Sequence, residues 1–235
     1  MSRARRDARG PLERNARALL HESARAAGRL ESRMAAAVAG AAEAMIAALG
    51  SGGTVYFCGN GGSAADAQHL AAELSGRYFL DRPALAAIAL TTNSSALTAI
   101  GNDFGFEQVF ARQLRGLGTP GDVLVAITTS GRSANVLRAV DAAHELGMTV
   151  IGMTGPAGRR FATHCDHALV TPSASTPRIQ EGHIAMGHAL CELAERALSP
   201  ARGKRNARGE GKPHGRRTTR STRSPRRPGR KASAR

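Results

Sequence analysis

The stretch "CGNGGSAADAQHLAAEL", residues 58–74, decides how this chain is read. Its first half is glycine and small polar residues. Its second half is a helical pattern with His69 and Glu73 four positions apart, so both project from one face. The preceding run "TVYFC", 54–58, is β-rich and ends at the glycines. Strand, bare turn and helix in that order form the start of a parallel α/β unit. In the turn, Gly59, Gly61 and Gly62 permit positive φ and close backbone approach, and Ser63 is placed to cap the helix. Free amides at such a helix start favour an anion.

Four more candidate strands follow: "ALAAIAL" (84–90), "DVLVAIT" (122–128), "MTVIGM" (148–153) and "HALVT" (167–171). Helical patterns lie between and after them, at about 63–78, 106–117, 133–146 and 177–198. Most of the strands are apolar on both faces. This alternation predicts a doubly wound α/β domain whose parallel sheet is covered on both sides. Before it, residues 11–49 read as helix with a break at "AAGR", 26–29, and "MAAAVAGAAEAMIAAL" is suited to packing on another helix.

Doubly wound sheets bind ligands beyond the carboxyl ends of their strands. Three loops qualify: "GNGGSA", "TTNSSALTAIGND" and "TSGRSANV". The third repeats the logic of the first, with Thr128, Thr129, Ser130 and Ser133 placing four hydroxyls around Gly131. Hydroxyls and backbone N–H groups hold a phosphate without a lysine. Neither loop is GxxxxGK[ST] or GxGxxG, so neither is a nucleotide fingerprint. Two anion-holding loops at one end of a sheet point to a sugar phosphate. Downstream, "RIQEGHIAMGHALCELAE", 178–195, is a helix with His183 and His188. His183 projects about 140° from His188, away from its face. Gln180 and Glu181 both lie near the His188 side, and spacing does not choose between them.

The net charge of +15 divides unevenly. Residues 199–235 hold 14 Lys and Arg against Glu210 alone, leaving 19 basic and 17 acidic residues in 1–198. The chain therefore divides into an N-terminal helical segment (1–53), a nearly neutral core (54–198) and a basic tail (199–235). The tail is almost free of large apolar residues and is expected to be disordered. It offers non-specific contact with nucleic-acid phosphates, with no aromatic residue for base stacking. Its other reading is a dispensable extension. No run of 18 or more apolar residues is present, so no membrane span is expected. The N-terminus lacks the apolar core of a signal peptide. Cys58, Cys165 and Cys191 form no CxxC pair and read as reduced, mostly buried thiols, consistent with a cytoplasmic setting.

Four segments in order, "CGNGGSAADAQHLAAELSGRY", "IALTTNSSALTAIGNDFGFEQVFARQ", "GDVLVAITTSGRSANVL" and "RIQEGHIAMGHALCELAE", resemble the phosphoheptose isomerases of the sugar isomerase (SIS) domain superfamily over about residues 15–198. The resemblance implies an αβα sandwich with a five-stranded parallel sheet, assembled as a homotetramer. It implies ketose–aldose isomerisation of sedoheptulose 7-phosphate to D-glycero-D-manno-heptose 7-phosphate, in the biosynthesis of nucleotide-activated heptose. Glu73 and His188 match the catalytic pair. Asn60, Gly61, Gly62, Ser63, Asn93, Thr128, Thr129, Ser130, Ser133 and Gln180, with Glu73, match substrate-binding positions. His69, Glu73, Gln180 and His188 match residues through which several members hold one zinc ion per subunit, which favours Gln180 over Glu181. This chain departs from the common pattern at Asn93, where many relatives have Asp, at Arg132, where Asn is common, and at Thr128, where Ser is usual. The competing reading is a non-catalytic SIS adaptor that binds the bacterial replication initiator. Retention of Glu73 and His188 favours the enzyme.

Overall fold

The computed structural model describes residues 3–199, with side chains from residue 10. The expectations for the basic tail, both its disorder and its nucleic-acid contact, lie outside the described residues.

Five strands form one parallel sheet: β1 (Val55–Gly59), β2 (Ala87–Ala89), β3 (Val123–Ile127), β4 (Thr149–Thr154) and β5 (His167–Val170). Their spatial order is β2-β1-β3-β4-β5. Strand order therefore reverses between β1 and β3, which pair from Val55↔Val123 to Gly59↔Ile127. Every residue of both strands is buried, which accounts for their unbroken apolar runs.

Among the described residues, seven helices surround the sheet: α1 (Arg3–Gly50), α2 (Gly62–Ser75), α3 (Ser94–Phe104), α4 (Ala111–Leu117), α5 (Ala134–Glu145), α6 (Arg159–Ala162) and α7 (Thr176–Leu198). Alternate strand residues sort into two cores. Val55, Phe57, Val123 and Val125 face α1, α2 and α7 through Met45, Leu70 and Leu190. Tyr56, Cys58, Leu124 and Ala126 face α4 and α5 through Leu114, Val136 and Ala139. The result is the expected three-layer αβα sandwich with an N-terminal helical segment.

Four expectations need correction. First, the break at 26–29 is absent: α1 runs without interruption through Gly28. One helical glycine costs only about 1 kcal/mol, and α1 is held along α7. Arg178 Nη1 donates to the Leu19 carbonyl at 3.2 Å, and Ser23 Oγ donates to Glu181. Second, much of the loop "TTNSSALTAIGND" is helix α3. Asn93 is its N-cap and accepts from the Ala96 amide at 3.0 Å. Third, the helix expected at 106–117 is a single 3₁₀ turn, Phe106–Gln108, followed by α4. Fourth, α1 does have the length and hydropathy of a membrane span over Gly10–Gly50. The carboxyl-terminal part of α1 nonetheless lies in the core, where Ala41 and Met45 are fully buried.

Candidate functional site

The two glycine-bearing loops meet at the point where strand order reverses. β1 leads into α2 on one face of the sheet and β3 leads into α5 on the other. The loops therefore diverge side by side at the carboxyl ends of adjacent strands. Asn60 and Asn135 tie them together with two reciprocal amide hydrogen bonds, each 2.8 Å. Asn135 is buried, and nothing in the sequence announces it, because its partner is 75 residues away.

The turn after β1 depends on its glycines. Gly61 has φ +56°, and a Cβ on Gly59 would stand 2.7 Å from Ser63 Cβ. Ser63 is not the helix cap expected from sequence. Gly61 occupies the N-cap position with no side-chain cap, and Ser63 Oγ donates to Gln180 Oε1 at 3.4 Å. In the second loop, Thr128 Oγ1 and Ser133 Oγ lie 3.1 Å apart, and Thr128 Oγ1 accepts the Gly131 amide at 3.2 Å. Ser130 Oγ accepts the Arg132 amide at 3.3 Å, while the Thr129 carbonyl accepts the Gly155 amide. Ser133 is the N-cap residue of α5 but makes no side-chain cap bond. Both helix starts thus carry their partial positive charge without a capping side chain.

About two and three turns into α2, His69 and Glu73 meet His188 of α7. His69 Nε2 lies 2.8 Å from His188 Nε2 and 3.4 Å from Glu73 Oε1. One ligand atom from each of the three residues lies within 4.8 Å of the others. Two imidazole nitrogens at that separation either share a proton or turn their lone pairs onto one cation. Two histidines and a carboxylate are a donor set that suits a divalent metal with an open position. The structure thus presents a candidate metal site. Tyr78 tilts against His188, with ring centroids 5.7 Å apart.

Gln180 and Glu181 separate cleanly. Gln180 faces the turn after β1, where its amide donates to Asp66 and its carbonyl accepts from Ser63. Glu181 faces α1, bonded to Ser23 and paired with Arg178. Asp66 was missed by sequence reasoning, although it lies one turn before His69. Burial pushes its carboxyl up to about 6, against the pull of His69. His183, as expected, is away from this group, fully buried with no hydrogen-bond partner on either ring nitrogen. Asn93 stands at the start of α3. Its side chain caps α3, while nearby Thr91 accepts from Gln68 of α2 at 3.3 Å. Cys58, Cys165 and Cys191 are free thiols, and burial pushes all three up to about 12.

Comparison with known proteins places these features in a class. The family model of the SIS domain matches residues 19–155. A phosphoheptose isomerase of Rhodospirillum rubrum is 59% identical over 164 residues, 70% of this chain and 87% of that protein. Among solved structures, the phosphoheptose isomerase of Neisseria gonorrhoeae superposes with a TM-score of 0.74 at 49% identity, covering 79% of this chain and 99% of the other. That of Francisella tularensis gives 0.73 at 39% identity, covering 77% and 97%. The chain belongs to the SIS domain family and, within it, to the phosphoheptose isomerases.

Proposed function

We propose that this chain interconverts sedoheptulose 7-phosphate and D-glycero-D-manno-heptose 7-phosphate by enediol proton transfer, supplying nucleotide-activated heptose biosynthesis. The observation that carries this is the Glu73–His69–His188 group standing beside two uncapped, hydroxyl-lined helix starts. Relatives at 51–59% identity bear the phosphoheptose isomerase name, which favours the enzyme over the adaptor.

The phosphate sits on the loop hydroxyls of Thr128, Thr129, Ser130 and Ser133 with Ser63, and on the backbone around Gly61 and Gly62. Asn60, with Asn93 and Gln180, orients the sugar chain. Moving the carbonyl from C2 to C1 takes a proton from C1 and returns one at C2. The Glu73 carboxylate accepts that proton and gives it back. His188 exchanges protons with the adjacent oxygens. His69, Glu73 and His188, with Gln180 as fourth donor, would hold one zinc ion per subunit, which would polarise the substrate oxygens.

A homotetramer accords with the apolar residues left in solvent on α1: Leu12 is 69%, Leu19 58% and Leu20 72% exposed. A cytoplasmic setting accords with the three free cysteines.

The deciding experiment follows sedoheptulose 7-phosphate by NMR with wild type and Glu73→Gln, with chelator and with added zinc. Glu73→Gln is expected to lower kcat by about 10²–10⁴-fold. Chelation is expected to lower activity and zinc to restore it. A folded, zinc-loaded wild type that leaves the substrate unchanged would rule out this function.

A further inference from the structure

After α2 the chain runs without regular structure from Gly76 to Ala86 before entering β2. Much of this segment is exposed, yet it carries the one fully buried ion pair among the described residues. Arg82 Nε lies 3.1 Å from Glu195 Oε1 of α7, with side chains 0% and 1% exposed. The contact is electrostatic, since Arg82 Nε makes no aligned hydrogen bond. Burial raises the Glu195 carboxyl, but the amides of Phe79, Leu80 and Tyr78 and the Arg82 charge outweigh it, so the net shift is downward.

Both partners use their remaining capacity on backbone. Glu195 accepts the amides of Tyr78, Phe79 and Leu80 at 2.8, 2.7 and 2.9 Å. Arg82 donates to the carbonyls of Glu73 at 3.0 Å and Leu74 at 2.8 Å, which α2's end leaves without helical partners. It also donates to the Pro83 carbonyl at 3.0 Å. A buried ion pair is weak evidence for stability, because desolvation offsets its attraction. What this one joins is more informative. It grips the backbone of Glu73 itself. It also grips the backbone of Tyr78, whose ring tilts against His188. Glu195 stands seven residues, about two turns, after His188 on the same helix.

We propose that the buried Arg82–Glu195 pair is the positioning device of the reaction centre, fixing Glu73 of α2 against His188 of α7. This rests on the function proposed above. Neither residue touches substrate. Both act through the Glu73 carbonyl and the Tyr78 backbone. Small displacements of a proton-transfer group lower the rate steeply, while the phosphate-holding loops lie elsewhere. Loss of the pair therefore affects kcat more than KM.

The test compares wild type, Glu195→Gln and Arg82→Lys, each checked for folding by circular dichroism. In a folded Glu195→Gln, kcat is expected to fall about 10–100-fold with KM within about threefold. Zinc affinity is expected to weaken about tenfold or more, as when a group supporting metal ligands is lost. A folded variant with wild-type kcat and zinc affinity, even at lowered thermal stability, would overturn the proposal. Should neither variant fold, hydrogen exchange on the wild-type protein decides. The peptide carrying Tyr78, Phe79 and Leu80 is expected to exchange at least about 100-fold more slowly than unstructured chain. Exchange at open-loop rates would overturn the proposal. A wild type that binds zinc but does not turn over substrate would remove the assigned reaction alone, and the zinc and exchange measurements would still decide the positioning role.

Discussion

At the scale of single residues, the site is assembled from side chains whose roles follow from what they touch. Glu73 and His69 share a helix face by spacing, and that much is legible in the sequence. That His188 approaches to 2.8 Å is not, because 119 residues separate it from His69. His183 shows the same limit from the other side. Its helical angle away from His188 follows from spacing, but its complete burial does not. Burial pushes the imidazole down from 6.5 to about 4, because the charged form loses its water. The sign follows directly: the unfolded chain binds a proton near pH 6.5 that the folded protein refuses until about pH 4. Stability present above pH 6.5 is therefore lost as pH falls towards 4, by about 3 kcal/mol. Urea unfolding of wild type and His183→Leu between pH 4.5 and 7.5 checks this. The wild type is expected to weaken towards acid more steeply than the variant.

At the scale of elements, the second glycine-bearing loop depends on one glycine. Gly131 has φ +66°, and a Cβ there would stand 2.5 Å from Gly158 Cα. Gly131→Ala is therefore both strained and overpacked. It is expected to cost roughly 2 kcal/mol or more and to raise KM, measured by thermal unfolding and substrate titration. α3 gives a smaller effect. Asn93→Ala removes the cap bond to Ala96 and should cost about 1 kcal/mol. A stability loss near zero would mean that packing, not the cap, starts the helix. The departure at Asn93 thus has a local account, since Asn caps a helix as well as Asp. The cap signal was present in "TTNSSALTAI", but its cluster of Thr, Asn and Ser also reads as loop. β2 contracts to three residues, and just before it the Leu85 amide donates to the Leu74 carbonyl of α2.

At the scale of the whole molecule, the described residues form the sugar-phosphate isomerase unit, and the basic charge lies beyond it. A chain ending at Ser199 is expected to fold and turn over substrate as the full chain does, measured by circular dichroism and the NMR assay; loss of activity in a folded truncation would assign the tail a catalytic role. The layered α/β architecture is legible in the sequence alone, because apolar periodicity switches between strand and helix at regular intervals. The two glycine-bearing, hydroxyl-lined loops are legible as well, because glycine and hydroxyl residues act locally. Which side chains meet across the fold comes from packing: His188 with His69 and Glu73, Gln180 with Asp66, Asn60 with Asn135, and Arg82 with Glu195. Those pairings arise where strand order reverses and α7 packs beside α2, and contacts between distant segments leave no periodic mark on the chain.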